Sequence, residues 1–164
     1  MNTMRSSLLV LLFVLPSCTW WGQTKSEPMS GLIVVNVLDS EYHSDCRIAG
    51  SINVTIEQLA EKSANWQKDS QVVFYCTNYW CTSSGYAADQ LIKSGFKNIY
   101  AYEGGIAEWH QKGYPTDGPC QKSYLKKEVK PFADEEESKG YTIITAEELY
   151  KKMVDNKLIA AGKK

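Results

Sequence analysis

At 164 residues, with 43% apolar side chains, the chain has material for one compact domain plus appendages rather than two full domains. Lysine and arginine number 18 against 19 aspartates and glutamates, so no cationic excess is present to displace counterions from a nucleic-acid backbone. Nucleic acid is therefore excluded as a partner class.

Residues 1–17 read as an export signal: Arg5 precedes an apolar run from Leu8 to Leu15, far shorter than the roughly 20 residues that span a membrane. The run ends in Leu15-Pro16-Ser17-Cys18, which resembles the bacterial lipobox. That resemblance implies acylation of Cys18, which becomes the new N-terminus and anchors the chain to a membrane through lipid. Thr19, in place of an aspartate, resembles outer-membrane sorting and implies an envelope location facing the periplasm. An ordinary signal peptide cut nearby, leaving Cys18 as a free thiol, is the alternative. Residues 18–30 lack an apolar period and read as a tether, with Trp20 and Trp21 suited to the membrane interface.

The remaining cysteines, Cys46, Cys76, Cys81 and Cys120, are even in number in a chain bound for an oxidising compartment. Spacing alone does not choose among structural bridges, a redox pair and reactive thiols.

Leu32 to Leu38 is a continuous β-branched run of the kind buried on both faces of a sheet. Gln71 to Tyr75 is a second strand that stops at Cys76, and Asn98 to Tyr102 a third that stops at Glu103-Gly104-Gly105. Between them, apolar spacing predicts helices over Ile56 to Trp66 and Ser83 to Ser94, the second closed by Gly95. This alternation predicts an α/β fold: an open, mostly parallel central sheet with helices on both faces. Such sheets bind ligands at the C-terminal ends of their strands. Cys76 occupies one of those ends just before a helix, where amide N–H groups and the helix dipole favour a thiolate.

Residues 120–140 form a linker dense in lysine and glutamate. Residues 141–164 are expected as a strand-helix extension, with Thr145 and Glu148 making a capping box and Leu149, Met153 and Val154 marking one helix face. Cys81 lies close enough in sequence to Cys76 for a resolving or regulatory disulfide within one loop. Cys46 and Cys120 are candidates for a second bridge, whose loop of about 74 residues corresponds to about 4 kcal/mol of loop entropy. No metal is expected, since structural zinc favours paired Cys-x-x-Cys knuckles. His43 and His110 fall in no spacing that makes a ligand pair, and neither is assigned a role.

Across residues 31–119 the sequence resembles the rhodanese-like family. Arg47-Ile48-Ala49-Gly50-Ser51-Ile52-Asn53-Val54 is similar to its His-Ile-Pro-Gly-Ala-Ile-Asn-Val segment, and Val72-Val73-Phe74-Tyr75-Cys76 to the strand entering its nucleophile. Ala87-Ala88, Gly95-Phe96 and Tyr102-Glu103-Gly104-Gly105-Ile106-Ala107-Glu108-Trp109 match its following helix and its Gly-Gly-x-x-x-Trp element. The resemblance implies a sulfurtransferase without cofactor. Cys76 would carry sulfane sulfur as a persulfide, cradled by the amides of Thr77, Asn78, Tyr79, Trp80, Cys81 and Thr82, and exchange it with a small sulfur donor and a thiol acceptor, protein thiols included.

Two departures qualify that picture. The loop after Cys76 contains no cation, which argues against small anions such as thiosulfate, and resembles a Cys-x-x-x-x-Cys variant. Arg47 is a candidate anion contact, with a surface ion pair as its competitor. A thiol–disulfide oxidoreductase using Cys76 and Cys81, and an envelope interaction module that has lost the chemistry, are the competing functions. The family's opening Ile-Thr-x-Glu-Glu-Leu element is missing ahead of Leu32 yet present from Ile143 to Leu149. Residues 141–159 are thus expected to complete the domain from the other end of the chain or by exchange between chains, with a truncated repeat as the alternative.

Overall fold

The computed structural model describes residues 28–127 and 140–162. The expectations for the leader, Cys18, Trp20 and Trp21, and for residues 128–139, lie outside the described residues. In chain order the elements are β1 (Leu32–Asn36), α1 (Ser40–Asp45), β2 (Arg47–Ile48), β3 (Ile52–Asn53), a 3-10 turn at Ile56–Gln58, α2 (Leu59–Ser63), β4 (Gln71–Tyr75), α3 (Ser83–Lys93), β5 (Asn98–Tyr102), α4 (Gly105–Gln111), β6 (Thr116–Asp117), a second 3-10 turn at Ser123–Lys126, β7 (Thr142–Ile143) and α5 (Ala146–Asp155).

Every side chain of β1 is buried, as expected of a β-branched run covered on both faces. The main sheet has five strands in the order β3-β1-β4-β5-β7, and each neighbouring pair is parallel. One face packs Val34, Val73, Tyr75 and Tyr102 against Trp109 of α4 and Leu149 and Met153 of α5. The other packs Ile33, Val35, Val72 and Phe74 against Leu59 of α2 and Ala87, Ala88 and Leu91 of α3. The α/β architecture read from the sequence, a mostly parallel sheet flanked by helices, is the architecture found.

Local signals behave as their chemistry requires. Gly95 takes φ +88° just past α3; its N–H donates to Ile92 O and that of Phe96 to Leu91 O, closing the helix in a Schellman motif. The capping box is present, with Glu148 N–H donating to Thr145 Oγ1 at 3.2 Å and Thr145 N–H to Glu148 Oε2 at 2.8 Å.

The helix expected to run to Trp66 stops at Ser63. There the backbone is claimed by Met29, whose N–H donates to Asn65 O and whose carbonyl accepts from Gln67 N–H. Trp66 instead buries its ring edge-on against Phe96. Met29, at the end of the segment read as a tether, is therefore tied to the domain. The start of the charged linker is likewise packed, with Leu125 only 1% exposed.

β7 continues the sheet beside β5, pairing Tyr100 with Thr142 and Ala101 with Ile143, and Ile144 N–H extends the ladder to Ala101 O. Ile144, Ala146, Leu149 and Met153 are buried in the core, while Val154 is half-buried. No helix among the described residues is long and apolar enough to cross a membrane.

Candidate active site

β4 is the middle strand, so its C-terminal end opens at the centre of the sheet, and Cys76 is the first residue beyond it. The loop that follows is pinned from below by the start of α4. Ile106 N–H donates to Cys76 O at 3.0 Å and Ala107 N–H to Thr77 O at 2.9 Å. This close approach requires glycine at position 105, which has φ +61°; a Cβ there would lie 2.6 Å from Cys76 O and from Thr77 C. The Gly-Gly element, visible in the sequence as a motif, thus acts by holding the cysteine loop against the helix. Its geometric role was not legible, because it depends on two segments far apart in sequence meeting at backbone contact.

The two loop sulfurs stand in contrasting surroundings. Cys76 is fully buried and its thiol faces a carbonyl: Sγ donates to Cys81 O at 3.0 Å, with Asn78 O at 3.9 Å. A thiolate there would point lone pairs at a carbonyl oxygen. The hydrogen bond to Cys81, followed by burial, holds the Cys76 thiol far above the usual range, although Ser84, whose Oγ lies at 3.7 Å, favours the anion. Cys81 is half-buried, and the groups that favour its anion are the Cys76 thiol first, then the Ser83 N–H and hydroxyl and the Thr77 N–H. These outweigh burial and bring its pKa down to about 5.

Amides favour an anion at both sulfurs, Ser84 N–H at Cys76 and Ser83 and Thr77 N–H at Cys81, but those of Trp80 and Cys81 do not take part. The reason is local. The N–H groups of Trp80 and Cys81, both expected to turn toward Cys76, are taken by Asn78 Oδ1 and Asn78 O, each at 3.0 Å.

Of the remaining loop residues, Thr82 stands at the N-cap position of α3 without a side-chain capping bond, Tyr79 is half-buried and Trp80 is 69% exposed, so the aromatic mouth does not collapse over the cysteines. The neighbourhood is acidic rather than cationic. Burial and the carboxylates of Glu108, Glu103 and Glu147 raise the Tyr79 phenol to about 12. Glu108 also accepts from Tyr102 OH at 2.8 Å and pairs with Lys112 at 3.7 Å. Arg47 is engaged with Asp117 at 3.8 Å across the β2–β6 pair, the surface ion pair weighed against an anion contact. At the end of β1, Asn36 Oδ1 accepts from Leu38 N–H at 2.9 Å.

Cys46 and Cys120 form a disulfide, with Cα atoms 4.5 Å apart, while Cys76 and Cys81 are free. Around the bridge, Cys120 N–H donates to Asp45 O, and the Asp45 carboxylate accepts from the N–H groups of Gln121 and Lys122. His110 lies beside it, its ligand atom within 4.8 Å of both sulfurs, a proximity that sequence spacing did not reveal. Because the disulfide engages both sulfurs, this trio does not make a metal site in the oxidised chain.

Comparison with known proteins agrees with the geometry. The model of the rhodanese-like domain matches residues 25–112. The thiosulfate sulfurtransferase GlpE of Coxiella burnetii is 30% identical over 85 residues, covering 52% of this chain and 77% of that protein. GlpE of Shewanella oneidensis is 31% identical over 78 residues, covering 48% and 75%. Among solved structures, the BH2092 protein of Bacillus halodurans superposes with a TM-score of 0.51 at 25% identity, over 55% of this chain and 66% of that one. With its parallel sheet, its cysteine at the end of the middle strand and the Gly-Gly turn beneath it, this chain belongs to the rhodanese-like domain family.

Proposed function

We propose that the chain is an envelope sulfurtransferase that takes sulfane sulfur onto a cysteine persulfide in the loop from Cys76 to Thr82, and passes it to a thiol acceptor. The observation that carries this reading is the pair of free cysteines in one loop at the open end of the middle strand, Cys76 Sγ donating to Cys81 O at 3.0 Å, with the loop held against α4 by Ile106 and Ala107 N–H. Family resemblance assigns the persulfide to Cys76. An uncharged or thiol-borne donor suits the site better than thiosulfate, because a dianion would meet the carboxylates around Tyr79 with no lysine or arginine in the loop to receive it. The aromatic mouth suits a protein thiol as acceptor.

Intact mass spectrometry tests the reading. Protein exposed to an alkyl persulfide is expected to gain the mass of one sulfur, or to release hydrosulfide. Neither should happen in the Cys76→Ser/Cys81→Ser double variant, and thiosulfate should act more slowly. Absence of both signals in the unmodified chain would refute sulfur transfer.

The envelope location rests on the leader and on acylation of Cys18, and the Cys46–Cys120 disulfide suits an oxidising compartment. A mobility shift on delipidation, lost in Cys18→Ser, is expected. A second reading, thiol–disulfide exchange by the Cys76–Cys81 pair, is favoured by the two free cysteines sharing one loop, with Cys76 Sγ 3.0 Å from Cys81 O. It predicts a reducible loss of two hydrogens from that pair without sulfur donors.

A further inference from the structure

Away from the Cys76–Cys81 loop, the ligand atoms of Cys46, Cys120 and His110 all lie within 4.8 Å of one another. They come from three segments: Cys46 directly follows α1, His110 stands in the last turn of α4, and Cys120 lies between β6 and the second 3-10 turn. Cys46 is fully buried, while Cys120 and His110 are half-buried and leave the trio open to solvent on one side. Two thiolates and an imidazole are a donor set for zinc-type ions, which keep a fourth position for water in three-ligand sites. The disulfide is not alone in holding these segments together. Cys120 N–H donates to Asp45 O at 2.8 Å, and the Asp45 carboxylate accepts from Gln121 N–H at 3.1 Å and Lys122 N–H at 3.2 Å, next to Cys46. β2 pairs with β6, and Ala49 N–H donates to Pro115 O at 3.1 Å. α4 is tied to the same region, with Trp109 Nε1–H donating to Pro115 O at 2.8 Å and the Gln111 side-chain amide to Leu125 O at 3.0 Å. Breaking the S–S bond removes none of these bonds, so both thiols stay beside the imidazole. Zinc with Zn–S bonds of about 2.3 Å in tetrahedral geometry needs its sulfurs about 3.8 Å apart. Rotation of the two side chains supplies that separation from Cα atoms 4.5 Å apart.

We propose that, once the Cys46–Cys120 bridge is reduced, Cys46, Cys120 and His110 bind one zinc-type divalent ion, so that this corner of the domain alternates between a disulfide and a metal site. A dithiol reductant gives two electrons and two protons to the S–S bond, ends as a disulfide itself and leaves two thiols on the chain. The ion replaces the two thiol protons, which pass to water, and accepts a lone pair from each sulfur and from the neutral imidazole of His110. In the reverse direction a low-molecular-weight disulfide takes two electrons from the bound thiolates. The Cys46–Cys120 bond forms again, the oxidant leaves as two thiolates, and the ion is set free. The site uses neither Cys76 nor Cys81, so it stands apart from the sulfur-transfer reading.

The test titrates the full chain with cobalt(II), a spectroscopic substitute for zinc, and uses Cys76→Ser/Cys81→Ser to remove the thiols of the other loop. After reduction with a phosphine, removal of the reductant and exclusion of oxygen, the double variant is expected to bind about one cobalt per chain. The bound ion should show thiolate-to-cobalt charge transfer in the near ultraviolet and the strong visible absorption of tetrahedral coordination; the oxidised chain should show neither. Zinc should displace the cobalt and raise the Tm of the reduced protein while leaving that of the oxidised protein unchanged. His110→Gln keeps the disulfide, and with it the oxidised fold, and should weaken cobalt binding to the reduced chain by at least about tenfold. Cys120→Ser should abolish the charge-transfer band. Cobalt bands of equal strength in the oxidised chain, or binding unchanged in His110→Gln, would overturn the assignment, as would a reduced double variant that binds no cobalt or no longer unfolds cooperatively. If the double variant does not fold even when oxidised, the change in cobalt binding between the unmodified chain and His110→Gln decides the matter.

Discussion

Cys76 and Cys81 share one short loop but differ in surroundings: Cys76 is buried with its thiol on the Cys81 carbonyl, while Cys81 is half-buried and its pKa is lowered to about 5, chiefly by the Cys76 thiol. The chemical consequence is testable by pH. The Cys81 thiolate should persist as pH falls until about 5, below which protonation removes it, whereas an ordinary thiol gives half its thiolate near pH about 8.5. Iodoacetamide labelling followed by peptide mapping should therefore show Cys81 reacting rapidly at neutral pH, with a midpoint near about 5, and Cys76 protected until the chain is unfolded. Equal labelling of both in the native protein would contradict the assignment of the charge.

A second residue-scale case is Tyr75, wholly buried on the opposite face of the strand end. Its hydroxyl accepts from Ile48 N–H at 3.1 Å and lies 2.8 Å from Ser51 Oγ, tying the middle strand to the β2–β3 segment. Tyr75→Phe leaves a buried N–H without its acceptor and should cost about 1–3 kcal/mol in urea unfolding.

Among the elements, the junction of α4 with the cysteine loop is the most constrained. Gly105→Ala places a methyl group 2.6 Å from Cys76 O at a left-handed backbone position, so the loop must move away from α4. The variant should stay folded but lose the low-pH labelling of Cys81, and a wild-type labelling profile would show that the contact yields more easily than its geometry implies. Elsewhere the β2–β6 ribbon and α1 are drawn together by the Cys46–Cys120 bridge, which spans 74 residues. Cys120→Ala should lower stability by about 4 kcal/mol if loop entropy governs the effect, measured as a shift in denaturation midpoint at unchanged slope.

For the whole molecule, the informative feature is that the sheet is finished by the end of the chain. β7 occupies the edge beside β5, and α5 seals the face beneath it with Leu149 and Met153, both fully buried. Tyr150 stacks on Tyr114 at 4.7 Å, linking that helix to the segment after α4. Removing residues 141–164 strips these side chains from the core, so cooperative thermal unfolding should be lost or its midpoint greatly lowered. An unchanged melting curve would mean that the rest of the chain folds without them.

Much of this could be read in the sequence because it depends on near neighbours along the chain. The β-branched run from Leu32 to Leu38, whose strand ends two residues early at Asn36, the strand stopping at Cys76, Gly95 beyond α3 and the Thr145–Glu148 box each carry their signal within a few residues. The single sequence also placed a cysteine at the C-terminal end of a parallel strand, and the sheet order shows that strand to be the middle one. It did not decide that the Cys76 thiol is buried on the Cys81 carbonyl while Cys81 stays half-exposed, because that follows from the path of the loop once α4 pins it. Nor did it decide that Trp66 leaves its helix for Phe96, that Arg47 meets Asp117, or that Cys46 meets Cys120. Those are contacts between residues far apart in sequence, and only tertiary packing brings them within a few ångströms of one another.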